Sequence, residues 1–239
     1  MPKRKIQIVN GEFYHLIKRG IEGREIFLDD EDRLRFLNSL LVFNDKLPTL
    51  WEARSFWYQR NSETLAKLGY KPKSPLVEIH NFVFMPDHFH LLVRQLIDGG
   101  VQLLMQKLGG YSYYFNKKYQ RGGTLFQDRY KIIHISTEEQ LKNTFVYIHT
   151  NPVALIEPEW KNWRLKNSQG AIKFLEEEYG WSSYWDYIGK KNFPFVTTRN
   201  FFLTLFKGKK ELKNEINSWI FFKNKIFKDS KKMAQITFE

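Results

Sequence analysis

The chain has 239 residues, a net charge of +12 and a pI near 9.6, with 42% hydrophobic and 17% aromatic residues. It has no cysteine, which excludes disulfides, thiolate zinc sites and a cysteine nucleophile. The charge points either to a polyanionic partner or to plain solubility, and the many rings among basic residues favour single-stranded nucleic acid, where bases stack and phosphates meet cations.

The length suits one large domain, or a domain of about 150 residues with an appendage, and the apolar content argues against wholesale disorder. No apolar run approaches the roughly 20 residues of a membrane span, and Met-Pro-Lys-Arg-Lys is not followed by a signal-like apolar stretch. A soluble, cytoplasmic, nucleoid-associated protein without a membrane partner is the expectation.

Residues 11–18 alternate as a first strand, followed by a basic, glycine-punctuated loop from Arg19-Gly20 to Gly23-Arg24. Asp29-Asp30-Glu31 places acids at a helix start, and Leu34, Leu37, Leu40 and Leu41 supply its apolar stripe. Residues 47–75, with Pro48, Pro72 and Pro75, read as a loop or short helix. Strands follow over about 76–85 and 88–94, then a helix over about 100–119 that Gly109-Gly110 weakens. Tyr130 to Ile135 is a fourth strand. Ser136-Thr137-Glu138-Glu139 opens a helix that Pro152 stops near Thr150. The order is β-α-β-β-α-β, an α+β ferredoxin-like domain with an antiparallel sheet and one further helix behind it. Residues 1–157 are assigned to this domain, and 158–239 to a basic, aromatic-rich helical extension. Nine lysines stand against three acids between Lys207 and Lys232.

The sharpest chemistry lies at Phe82–Val93, where an apolar run breaks at Met85-Pro86-Asp87 and resumes. His88 and His90 are two apart on the second strand, so both imidazoles share a face and can share a metal ion; a purely structural pair fits the same spacing. Tyr147 and Asn151, four apart, share a helix face. A phenol can be a nucleophile and an amide oxygen a metal ligand, although a core tyrosine and a C-cap asparagine fit the pattern as well. His15, on the first strand, is a further candidate to face the site.

Met85-Pro86-Asp87-His88-Phe89-His90-Leu91-Leu92-Val93 resembles the His-hydrophobic-His motif of the HUH-type single-tyrosine transposases, in particular the REP-associated tyrosine transposase group. Tyr14 to Gly20, Gly123 to Tyr130, Tyr147 to Val153 and Gly180-Trp181-Ser182-Ser183-Tyr184 resemble further family segments in the family's order, over about residues 11–190. Asp87 stands where Asn is common, and Phe126 where Trp is usual. The resemblance implies His88 and His90 as ligands of a divalent metal, Mg2+ or Mn2+, with Asn151 as third ligand and Tyr147 as nucleophile. It implies an enzyme that cleaves and rejoins single-stranded or hairpin DNA through a 5′-phosphotyrosine, working as a monomer or homodimer. Arg19, Arg24, Arg94, Arg129 and Lys131 are candidates for backbone contacts. The alternative is a single-stranded nucleic-acid-binding module with the same fold and no strand transfer. A replication-type nickase is a third reading, but no ATPase phosphate loop appears.

Overall fold

The computed structural model describes residues 6–47, 71–127 and 129–237. Most of the 47–75 segment, expected as a loop or short helix, lies outside the described residues.

Strand β1 (Phe13–Arg19) leads through a short 3-10 turn at Ile21–Gly23 into helix α1 (Asp30–Val42). Asp29 caps that helix by accepting the Asp32 N–H at 2.9 Å, and Asp32 accepts the Asp29 N–H in return. Strands β2 (Val77–Met85) and β3 (His88–Gln95) form a hairpin around Pro86-Asp87. The turn also anchors the basic loop, because Asp87 and Pro86 carbonyls accept the N–H groups of Gly20 and Ile26, each at 2.7 Å. Gly20 admits no side chain there: a Cβ would lie 2.0 Å from the Arg24 carbonyl oxygen.

The helix expected over 100–119 is two, α2 (Gly100–Gly109) and α3 (Tyr111–Lys118), with the break at the glycine pair. Strand β4 (Lys131–Ile135) and helix α4 (Glu138–Thr150) complete the domain, with Thr137 Oγ1 capping α4 by accepting the Gln140 N–H. The antiparallel sheet has the order β2-β3-β1-β4, so the ferredoxin-like α+β arrangement is borne out.

The period-2 alternation of the strands divides the core between two faces. Tyr14, Leu16, Phe89, Leu91 and Val93 pack with Phe36, Leu40, Leu104 and Tyr111 of α1, α2 and α3. Val83, Met85 and Leu92 pack on the other face with Leu141, Phe145 and Ile148 of α4. The C-terminal elements α5 (Ser168–Lys173), α6 (Tyr184–Ile188), α7 (Asn200–Leu205) and α8 (Lys209–Thr237) join this second core through Tyr187, Phe202, Leu212 and Ile216. The helical extension therefore buries α4 from behind.

Between α5 and α6 the chain runs along the outer edge of β2. The Phe84 N–H donates to the Trp181 carbonyl at 3.0 Å, and the Ser183 N–H to the Phe82 carbonyl at 3.1 Å. A sheet edge left open would expose unpaired backbone groups, and this segment closes it. Opposite, an irregularity between Ile79 and Asn81 turns Asn81 toward α4, as bulges re-aim side chains.

There a closed polar ring forms among fully buried groups. Asn81 Nδ2 donates to the Phe145 carbonyl at 3.0 Å and to His149 Nδ1 at 3.3 Å. An imidazole that accepts at Nδ1 carries its proton at Nε2, which donates to Ser183 Oγ at 2.8 Å; that hydroxyl donates to Asn81 Oδ1 at 3.2 Å. Burial holds the His149 imidazole down to about 3, against an ordinary 6.5.

Protonation would place a hydrogen on Nδ1, facing the Asn81 amide donor. A depressed histidine binds its proton in the unfolded state first, so His149 stabilises the fold fully above pH 6.5, and that contribution is lost as pH falls from 6.5 toward about 3. Unfolding free energy measured by denaturant titration should decline across that window, with His149→Gln declining less steeply by about 1.4 kcal/mol per pH unit, the effect of one proton. Parallel slopes for wild type and variant would refute this.

Candidate metal centre and nucleophile

Register brings the site together. His90 pairs with Ile17, and His88 with Arg19, across β1 and β3. His15, His88 and His90 thus share the sheet face that α4 covers, at its end nearest the hairpin turn. His88 and His90 ring centroids are 4.9 Å apart, and His15 stacks on His90 at 5.0 Å. From α4, the Tyr147 ring meets His90 edge-on at 5.7 Å and His15 at 6.0 Å. Asn151, at the C-cap of the same helix, brings its Nδ2 to 3.4 Å from His90 Nε2. Tyr147 retains 40% exposure while the three imidazoles and Asn151 are buried, so the phenol lies at the mouth and the donors in the wall.

Each imidazole of the pair has a partner on its Nδ1. His88 Nδ1 meets Asp87 Oδ1 at 2.5 Å, and His90 Nδ1 meets His15 Nε2 at 2.8 Å. Burial works to raise the Asp87 carboxyl, but the hydrogen bond with His88, together with Arg19 at 3.5 Å, holds it below its ordinary value. Burial depresses His90 well below 6.5, aided by His15, His88 and the more distant Lys161 and Arg19. Burial, with Lys131 nearby, lowers His15 to about 4. His15 and His90 are accordingly neutral at pH 7, the form in which imidazole offers a lone pair to a metal.

Among the described residues no three His, Asp or Glu side chains converge as a ready-made metal cluster. The donor set at this place is mixed: two imidazoles and one amide. Its fit to a cation shows in two buried atoms without a hydrogen-bond partner, His88 Nε2 and Asn151 Oδ1. Leaving such an atom unsatisfied costs about 1–3 kcal/mol, and a divalent ion accepting both lone pairs would remove that cost.

The basic candidates separate. Arg19, 43% exposed, flanks His88, and Lys131 pairs with Ile17 on the histidine face of β4. Arg24 is exposed in the loop tied to the hairpin turn. Arg129 lines a cleft with Lys18, Phe126 and Tyr130, beyond the sheet face of Phe89. Arg94 is six residues along β3 from His88, about 20 Å at strand rise, and engages Glu78 and the Gly11 carbonyl. Lys161, which bears on His90, carries no signal in the sequence, because only the fold of residues 151–162 brings it near. Phe126 packs its ring near Phe89 and Tyr111.

Residues 53–151 match the sequence model of the IS200-like transposases. Curated proteins give no match. Among solved structures, that of a REP-associated tyrosine transposase bound to a REP hairpin aligns with 84% of this chain and 93% of its own, at 11% identity and a TM-score of 0.45. The family match spans β2, β3, β4 and α4, with both histidines, Tyr147 and Asn151 inside it. The chain is thus similar to the IS200-like transposases over residues 53–151, the stretch that holds the candidate donors and Tyr147.

Proposed function

We propose that this protein is a metal-dependent, transposase-like enzyme that cleaves and rejoins single-stranded DNA through a 5′-phosphotyrosine on Tyr147, near hairpin or repeat sequences. The observation that carries the reading is the position of Tyr147. It comes from the same chain as the histidines, sits against His90, and is exposed enough to meet a strand. One chain would thus supply both the nucleophile and the metal donors, and the tyrosine is read as working in cis.

In this reading the Tyr147 hydroxyl oxygen bonds to the scissile phosphorus in line. The bond to the 3′-oxygen breaks, and the phenolic proton ends on that leaving oxygen. Attack by the 3′-hydroxyl of another strand reverses the step and frees Tyr147, without ATP, because the phosphotyrosine retains the ester bond. His88, His90 and Asn151 would hold Mg2+ or Mn2+, which supplies charge neutralisation and polarisation of the phosphate. Arg19 and Lys131 flank the donors and align the strand backbone by its phosphates, and Arg24 extends that edge.

Labelled hairpin-bearing single strands incubated with Mn2+ should form a covalent adduct on denaturing gels. Tyr147→Phe should form none, and His88→Ala far less than wild type. Tight binding without an adduct in wild type would select the binding-module reading. For affinity, Arg19→Gln and Lys131→Gln should each weaken single-strand binding and shrink the slope of log K against log salt by about 0.7, one phosphate contact on a single strand. Arg94→Gln, far along β3, should leave the slope unchanged in the same titration.

A further inference from the structure

We propose that His15 is a positioning residue that locks His90 in the tautomer and ring orientation that keeps Nε2 unprotonated, as a metal donor must be. The inference rests on the metal reading of His88, His90 and Asn151 and adds a residue to it.

The logic is a chain of proton positions. His90 is buried, with a partner at each ring nitrogen. Asn151 Nδ2 can only donate, and it lies 3.4 Å from His90 Nε2, which makes Nε2 the acceptor. The proton of His90 is therefore on Nδ1. That N–H points at His15 Nε2, 2.8 Å away, so His15 accepts there and keeps its own proton on Nδ1. Were the bond reversed, with His15 donating, His90 would protonate at Nε2 and lose the lone pair a metal needs.

His15 is not the residue opposite His90 in the ladder; Ile17 is. The contact is diagonal across β1 and β3, and is reinforced by the stacking of the rings at 24°. The two Nδ1 partners also differ in charge. Asp87 gives His88 an anion at the hairpin turn, whereas His15 gives His90 a neutral ring directly beneath Tyr147. An acceptor without negative charge suits the position closer to the nucleophile, where an anionic phosphate must approach. Orienting partners of this kind typically change metal affinity 10–100-fold when removed.

The test uses the full-length protein and two variants, His15→Phe, which keeps a ring but no acceptor, and His15→Gln, which restores an acceptor oxygen. Long-range 1H–15N spectra of the metal-free protein should show His90 protonated at Nδ1 in wild type and His15→Gln, and shifted toward Nε2–H in His15→Phe. Calorimetric titration with Mn2+ alone should show about 10–100-fold weaker binding by His15→Phe, largely recovered in His15→Gln. His90 protonated at Nε2 in wild type overturns the assignment, and so does His15→Phe binding Mn2+ as tightly as wild type. Wild type that binds no Mn2+ overturns the metal reading itself, a different result from either. Because the wild-type spectrum needs no substitution, the assignment stays testable even if His15→Phe fails to fold.

Discussion

The placement of α4 depends on the buried ring of hydrogen bonds through His149. Its imidazole meets the Asn81 side-chain amide of β2 and the Ser183 hydroxyl of the segment that closes the sheet edge, and Asn81 also donates to the Phe145 carbonyl of α4. A half-satisfied polar network in a dry core is costly, so the three pieces are stable only in one mutual arrangement. That arrangement holds α4 at a fixed rotation over the sheet. Tyr147 and Asn151, two residues to either side of His149, then fall against β1 and β3 while His149 points away from them into the core. One buried histidine thereby sets the position of the proposed nucleophile and of the third donor.

The chemistry of the pocket follows from its dryness. Removing His15 and His90 from water favours their neutral forms, and each neutral imidazole must assign its single proton to one nitrogen. For His90 the neighbours make that choice, Asn151 at Nε2 and, in the proposed arrangement, His15 at Nδ1. The cations stand farther out, with Arg19 on Asp87 and Lys131 and Lys161 near the histidines, where they can meet a phosphate without displacing a donor. A buried set of candidate donors with a cationic rim suits an anionic strand and a divalent ion at the same place.

The extension beyond residue 157 takes part in this architecture. Phe202 stacks on Phe145 at 4.5 Å, and Tyr187 meets the same ring edge-on at 4.8 Å, so the outer face of α4 is covered by rings from α6 and α7. The Trp-Ser-Ser-Tyr segment serves the sheet edge through its backbone and the His149 ring through Ser183. Its value is mechanical, since none of its side chains reaches His88 or His90 in the hydrogen bonds and ring contacts of the described residues.

Local patterns were enough for the element order, the hairpin at Pro86-Asp87 and the shared face of His88 and His90, because period 2 and period 3.6 are properties of adjacent residues. The same holds for Tyr147 and Asn151 on one helix face, and for the break at Gly109-Gly110, where backbone freedom is encoded in the residue itself. Whether Tyr147 was a core ring or a nucleophile could not be read that way, since its exposure depends on how α4 is rotated against a sheet made of distant strands. Lys161 was silent for the same reason, since it reaches His90 through the fold of residues 151–162; His15 was a candidate from its strand, but its diagonal contact with His90 across β1 and β3 was not legible. The sequence by itself determined which groups could do chemistry. Only the tertiary structure decided which of them meet, because strand register, the bulge at Ile79–Asn81 and the buried ring at His149 arise from contacts between residues tens of positions apart.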